Sequence, residues 1–206
     1  MHNLETPRLK LGVFNPLDSL GQALIAAALH RQHEVSALLD DLNRITARPG
    51  LRCKLGSLDS TETVKRAIAG LDVVFACLGA EPEADLPPQC GCLIDGALAL
   101  ENAGRPRLFL IGHWQWLVDS DDSDDEALGA GLRRSLDASG LDWTLVEMPE
   151  VAPGLRVDDF SGADTAISAE ARRALACAEA LLDELHLGLH RHQCLRLRGE
   201  DGGSDE

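Results

Sequence analysis

The chain has 206 residues, 45% of them hydrophobic, enough for one sizeable core and short for two. Its formal net charge is -15, with acidic residues concentrated at 119–126 (DSDDSDDE) and in the tail 200–206. That balance excludes nucleic acid and anionic membrane as partners, since both would be repelled, and leaves a small molecule or another protein.

No apolar run is long enough to span a bilayer, and the opening MHNLETPRLK lacks the apolar core of a signal peptide. A cytoplasmic protein is expected. The six cysteines (Cys53, Cys77, Cys90, Cys92, Cys177, Cys194) follow no framework spacing, which in a domain of this size reads as reduced thiols.

In chain order, residues 9–14 (LKLGVF) form a short apolar strand, and the alanine-rich stretch 20–29 has the periodicity of a helix with one buried face. Strands follow at 34–39 (EVSALL) and 51–55 (LRCKL). Residues 59–62 (DSTE) resemble a capping box opening a helix that runs through Ala69 and stops at Gly70. Residues 72–78 (DVVFACL) are a fully apolar strand, 92–103 a helix ended by Gly104, and 107–111 (RLFLI) another strand. After the acidic run come a helix at 126–139, a strand at 143–147 (WTLVE), a long amphipathic helix at 168–185 and a last strand at 193–198. Buried strands separated by helices argue for a single α/β domain with a doubly wound parallel sheet covered on both faces.

The blocks VFNPLDSLGQALIAAALHRQHEVSALLDD, LRCKLGSLDSTETVKRAIAGLDVVFACLGA, RPRLFLIGH and SGLDWTLVEMP resemble the atypical short-chain dehydrogenase/reductases. Within these the likeness is to NmrA-like and NADH-flavin-reductase-like NAD(P)-binding proteins, from about residue 9 to residue 198. The resemblance implies a Rossmann-type NAD(P)-binding domain over residues 1–199, with 200–206 as a disordered acidic tail.

It also implies a phosphate loop with GxxGxxG spacing, where this chain places Asn15, Asp18 and Gly21. The first two glycines of that pattern permit the tight turn and close approach to a pyrophosphate, and the third permits close helix packing. Only the packing glycine is kept. Asp18 puts a carboxylate at the helix N-terminus, where it would repel phosphates. The plain reading of this loop is a strand-to-helix turn shaped by Pro16, with Asp18 or Ser19 as N-cap.

On the pattern of the relatives, Asn15, Leu17, Asp18, Gly21, Asp40, Gly79 and Gly112 are the candidate cofactor-binding residues. Asp40, followed by Asp41, stands where relatives that take NADP often carry an arginine, so NAD(H) is favoured over NADP(H), or no cofactor at all. Helix capping by Asp40 or Asp41 is the competing explanation. Arg44, Arg48 or Arg133 could supply a replacement anion site.

The usual short-chain reductase chemistry needs a tyrosine with a lysine four residues on, and this chain has no tyrosine. Atypical relatives pass hydride directly between nicotinamide and a flavin-like acceptor, which leaves the protein mainly to position the rings. Candidates for such a role follow the strands: residues 78–80, and Gly112 to Trp116. There His113 could donate a proton and Trp114 or Trp116 could stack on a ring; otherwise the tryptophans lid the core and His113 is a solvated loop residue. Trp143 is expected in the core.

No metal is expected: His186, His190, His192 and Cys194 match no zinc spacing, Cys90-Gly-Cys92 in a Pro-rich loop is not CxxC, and the acidic run lacks the glycine and terminal glutamate of a calcium loop. Two functions remain. One is a non-catalytic, regulatory or ligand-sensing member of the fold with a degraded dinucleotide site. The other is an NAD(P)H-dependent oxidoreductase acting on a flavin or quinone-like acceptor.

Overall fold

Seven parallel strands form one sheet in the order β3-β2-β1-β4-β5-β6-β7. The computed structural model describes residues 8–78, 86–114, 123–160 and 167–197. The strands are β1 (Lys10–Phe14), β2 (Glu34–Leu39), β3 (Leu51–Leu55), β4 (Val73–Cys77), β5 (Arg107–Gly112), β6 (Trp143–Glu147) and β7 (Gln193–Arg196). They alternate with α1 (Ser19–His30), α2 (Thr61–Ile68), α3 (Leu86–Leu98), α4 (Ser123–Ser139) and α5 (Ala169–Leu187). The chain winds outward from β1 to β3, then returns to β4 on the other side of β1. That reversal defines the Rossmann-type doubly wound fold and opens a crevice at the carboxyl edge between β1 and β4.

The central strands read as continuous apolar runs because both faces of the sheet are covered. Leu11, Val13, Phe75, Cys77, Phe109 and Ile111 turn toward α1 and α5, while Phe14, Val74, Ala76, Leu108 and Leu110 turn toward α2, α3 and α4. Side chains alternate with the period of two that a pleated strand imposes. Phe75 and Phe109 meet across neighbouring strands with ring centroids 4.9 Å apart. Trp143 is buried in the second cluster, as its place in the strand suggests.

Local chemistry sets most helix ends. Ser168 caps α5 by accepting the Ala171 N–H at 3.1 Å, and Gly188 closes it in the left-handed conformation (φ 60°) with its N–H on the Glu184 carbonyl. The cap of α2 differs from the expected capping box at Asp59: Ser60 is the N-cap and accepts the Thr63 N–H at 3.3 Å. The helix at 92–103 is displaced too. It begins at Leu86, because Pro87 and Pro88 fall in a first turn whose N–H groups have no intrahelical partner, and it ends at Leu98. Cys90 and Cys92 therefore lie on a helix rather than in a loop. Burial pushes the Cys90 thiol up to about 12, which leaves it inert.

At the amino edge of the sheet, Arg107 forms a buried ion pair with Glu184 at 3.2 Å and donates to the Thr144 hydroxyl at 3.2 Å. Glu184 also receives the backbone N–H of His190 at 2.8 Å, and its Oε2 lies 2.9 Å from His190 Nδ1. His192 Nε2 lies 3.0 Å from the Leu141 carbonyl, and Cys194 packs against the second core cluster. The C-terminal histidines thus tie the end of α5 to the sheet. Among the described residues no three His, Cys, Asp or Glu side chains group to hold a metal, and no helix is long and apolar enough to cross a membrane.

Candidate functional site

The site is the turn from β1 into α1, with a cleft on each side. Asn15 opens the turn in the left-handed conformation (φ 53°), which glycine adopts freely and asparagine tolerates. Its N–H goes to the Leu38 carbonyl at 2.8 Å and its side-chain amide to the Cys77 carbonyl at 3.2 Å, so it bridges β2 and β4 across the switch point. Pro16 follows and has no N–H to offer.

Asp18 is the N-cap of α1: its Oδ1 accepts the Gly21 N–H at 2.6 Å. Gly21 is required here by close approach, since a Cβ would lie 2.6 Å from Pro16 Cα. Burial raises the Asp18 pKa, against the lowering effect of the Gly21 and Leu20 N–H groups. Its Oδ2 is buried without a hydrogen-bond partner. Burial pushes the Cys77 thiol well up, and the Asp18 charge adds to it.

A strap after β6 covers the same helix end. Ser19 Oγ donates to the Ala152 carbonyl at 2.6 Å and accepts the Leu155 N–H at 3.1 Å, and Gln22 Oε1 accepts the Val157 N–H at 3.2 Å. The first turn of α1 is thus closed by its own carboxylate and by residues 152–157.

The first cleft, of about 430 Å³, lies at the carboxyl ends of β1, β2 and β3 and is lined by Asn15, Asp40, Ser57, Leu58, Asp59 and Gln89, among others. Asp40 faces this cleft, and the cap of the following 3-10 turn is Asp41, which accepts the Asn43 N–H at 2.9 Å. The second cleft, of about 380 Å³, lies toward β5 and β6 and is lined by Leu17, Asp18, Ser19, His113, Met148 and Glu150, among others. His113 Nδ1 stands 3.7 Å from Glu147 Oε1, and Glu147 Oε2 accepts the Trp114 N–H at 2.8 Å. Among the described residues, no arginine or lysine lines either cleft. None of Arg44, Arg48 and Arg133 is among the described residues lining these clefts; Arg48 pairs with Asp158 at 3.1 Å and Arg133 lies 4.0 Å from Asp137.

Trp114 does not face substrate. It is fully buried, and its indole N–H is shared between the carbonyls of Leu110 (3.1 Å) and Val146 (3.0 Å). Gly112 belongs with it, since a Cβ there would meet the indole at 3.3 Å; its lack of a side chain makes room for the tryptophan rather than for a cofactor. Gly79, Ala80, Gln115, Trp116, part of the acidic run (119–122) and the tail lie outside the described residues. Sequence reading missed Glu147 and Gln89 as site residues. The available signal was a carboxylate closing an apolar strand, and a glutamine among apolar neighbours.

A parallel sheet with crevices at its carboxyl edge, on either side of the first βα turn, defines a Rossmann-type protein whose ligands bind at the switch point. The chain belongs to the NAD(P)H-binding family, whose model matches residues 19–158. Among solved structures, the fold resembles SP1627 of Streptococcus pneumoniae, assigned as an NADH-flavin reductase (21% identity, 93% of this chain, 100% of that chain, TM-score 0.63). It also resembles a wide-type short-chain dehydrogenase/reductase of Veillonella parvula in complex with NADP (14%, 95% and 96%, TM-score 0.62). Against the Bordetella bronchiseptica enzyme WbmH in complex with NAD+ it spans 56% of that chain (13% identity, 68% of this chain, TM-score 0.54). No curated protein matches the sequence.

The dinucleotide that the family implies fits this chain in part. The clefts leave room on both sides of the turn, and Asp40 stands where a ribose would need an acceptor. The pyrophosphate position does not fit. The N–H groups that a helix N-terminus offers to phosphate are directed at Asp18, and the unpaired Oδ2 would oppose a second anion.

Proposed function

We propose that this chain is a non-redox member of its family that binds a small ligand and acts as a sensor or regulator. The observation that carries this reading is the Asp18 carboxylate seated on the N-terminus of α1, in the place of the phosphates it would repel. Two further features support it. There is no tyrosine for the usual proton transfer, and Trp114 is turned into the core. All six cysteines are free, in keeping with a reducing, cytoplasmic setting.

One observation favours the oxidoreductase reading: clefts of about 430 and 380 Å³ flank the turn as the two halves of a dinucleotide would require. In that case Asp40 selects NADH over NADPH, and His113, held near Glu147, faces a flavin or quinone-like acceptor. Titration with NADH and NADPH, followed by nicotinamide fluorescence or heat, separates the two. The proposal expects no binding up to millimolar concentration; micromolar binding would restore the oxidoreductase.

A further inference from the structure

With 19 arginines and lysines against 34 aspartates and glutamates, a cation of this chain has acidic partners in excess. Three cations nevertheless gather without one. Lys10, Arg52 and Lys54 line a third cleft, of about 450 Å³, toward the amino ends of β1, β2 and β3 and beside the exit of α2 at 69–71. This is the edge of the sheet opposite the clefts that flank the Asp18 turn. The strand register sets Lys10 beside Glu34 and Arg52 beside Ser36, and the period of two turns these side chains to the face that carries α2. Among the described residues none of the three cations forms an ion pair, and the Arg52 side chain makes no hydrogen bond. Lys54 gives one of its three donors to the Ala67 carbonyl at 3.2 Å, which leaves two. Gly70 keeps the α2 side open, since a Cβ there would meet nothing within 4 Å.

Like charges set together repel, and an anion bound among them turns that repulsion into attraction. A guanidinium fork with two ammonium groups suits the oxygens of a phosphate. The volume exceeds a phosphate alone and lies in the range of small-ligand sites, so an organic body accompanies the anion. Glu34, on the same wall, repels a ligand that is anionic throughout but accepts hydroxyl groups from a neutral part. From these groups we infer that the amino-edge cleft binds a phosphorylated polyol, of the sugar phosphate class. Lys10, Arg52 and Lys54 hold the phosphate dianion, the Ser36 hydroxyl donates to it, and Glu34 receives hydroxyl groups of the body. This site lies apart from the switch point and does not depend on how the Asp18 turn is read.

Calorimetric titration of the full chain with ribose 5-phosphate, ribose, inorganic phosphate and citrate tests it. Saturable binding of ribose 5-phosphate in the submillimolar range is expected, with inorganic phosphate and citrate at least tenfold weaker and no saturable heat from ribose. Arg52→Gln changes an exposed side chain that bonds to no described residue, so the fold is kept, and it should weaken ribose 5-phosphate at least tenfold. Arg44→Gln removes the same charge outside the cleft and should leave the affinity unchanged. Glu34→Gln removes the carboxylate and should bring inorganic phosphate and ribose 5-phosphate closer in affinity. No saturable heat from ribose 5-phosphate, citrate or ribose binding as tightly, unchanged affinity in Arg52→Gln, an equal loss in Arg44→Gln, or an unaltered phosphate ratio in Glu34→Gln would each overturn the inference.

Discussion

The side chain of Asp18 is bonded to the backbone of Gly21 three residues on, Oδ1 to N–H at 2.6 Å, while its other oxygen is buried without a partner. One carboxylate therefore caps a helix, at some cost in desolvation, and fills the point where an anion would otherwise dock.

That cost has a pH signature. Burial raises the Asp18 pKa in the folded state above its unfolded value, so the native chain holds this proton more tightly. Its contribution is most favourable below the ordinary carboxylate pKa and is lost as pH rises through the raised one. Asp18→Asn keeps a capping oxygen and removes the charge. The variant should be more stable than the parent at pH 7, with the gain closing toward a pH of about 4. Urea midpoints measured across that range check it, and a variant less stable at neutral pH would show that the cap needs the charge.

The amino edge should respond in the opposite sense. Burial pushes Glu184 up, but hydrogen bonds from His190 and Arg107 outweigh it and hold its pKa below the ordinary value. Its stabilisation is present above the ordinary carboxylate pKa and is lost as pH falls through the lowered one. Arg107→Met leaves Glu184 buried without its guanidinium and should cost roughly 3–5 kcal/mol at pH 7. Chemical denaturation reads the loss, and a cost below about 1 kcal/mol would place the pair among weak surface bridges.

Trp114 and His113 are neighbours with opposite expectations. Trp114→Ala empties a fully buried site and should lower stability by about 3–5 kcal/mol. His113, more than half exposed, should change stability by no more than about 0.5 kcal/mol on replacement by alanine. Thermal unfolding of both variants decides the matter. Equal, small losses would mean that Trp114 is free to face the cleft.

Gly21 is the last loop position to test by stability. Its missing Cβ would strike the Pro16 backbone, which cannot swing away as the end of a flexible side chain can. Gly21→Ala should cost about 1–3 kcal/mol, measured as a fall in urea midpoint. No change would mean that the turn relaxes to admit a methyl group.

Much of this was legible in the sequence where local chemistry decides. The bounds of β2, β3 and β6 are those of the apolar runs themselves, and the N-cap of α1 was narrowed to Asp18 or Ser19 by their place before an alanine-rich periodic stretch, the structure choosing Asp18. The start of α3 was hidden because two prolines and Gly91 read as a loop, whereas prolines sit without cost in a first turn. Gly96 has a tertiary reason to stand inside that helix: a Cβ there would lie 2.8 Å from Val64 of α2. The orientation of Trp114 and the parts played by Glu147 and Gln89 depend on contacts between strands and helices far apart in sequence. Glu147 meets the Trp114 N–H across 33 positions, and no local pattern encodes that distance.

The central claim is that one carboxylate, rather than loss of the whole crevice, keeps a dinucleotide out. The double variant Asn15→Gly with Asp18→Gly removes that carboxylate and frees the first-turn N–H groups, at a cost in stability of roughly 1–2 kcal/mol from the lost cap and the added backbone entropy. Calorimetric titration of parent and variant with NADH measures the claim directly. The account predicts no binding by the parent up to millimolar concentration and at least tenfold higher affinity in the less stable variant, about 1.4 kcal/mol or more. Micromolar binding by the parent, or a variant that loses stability and gains no affinity, would contradict it.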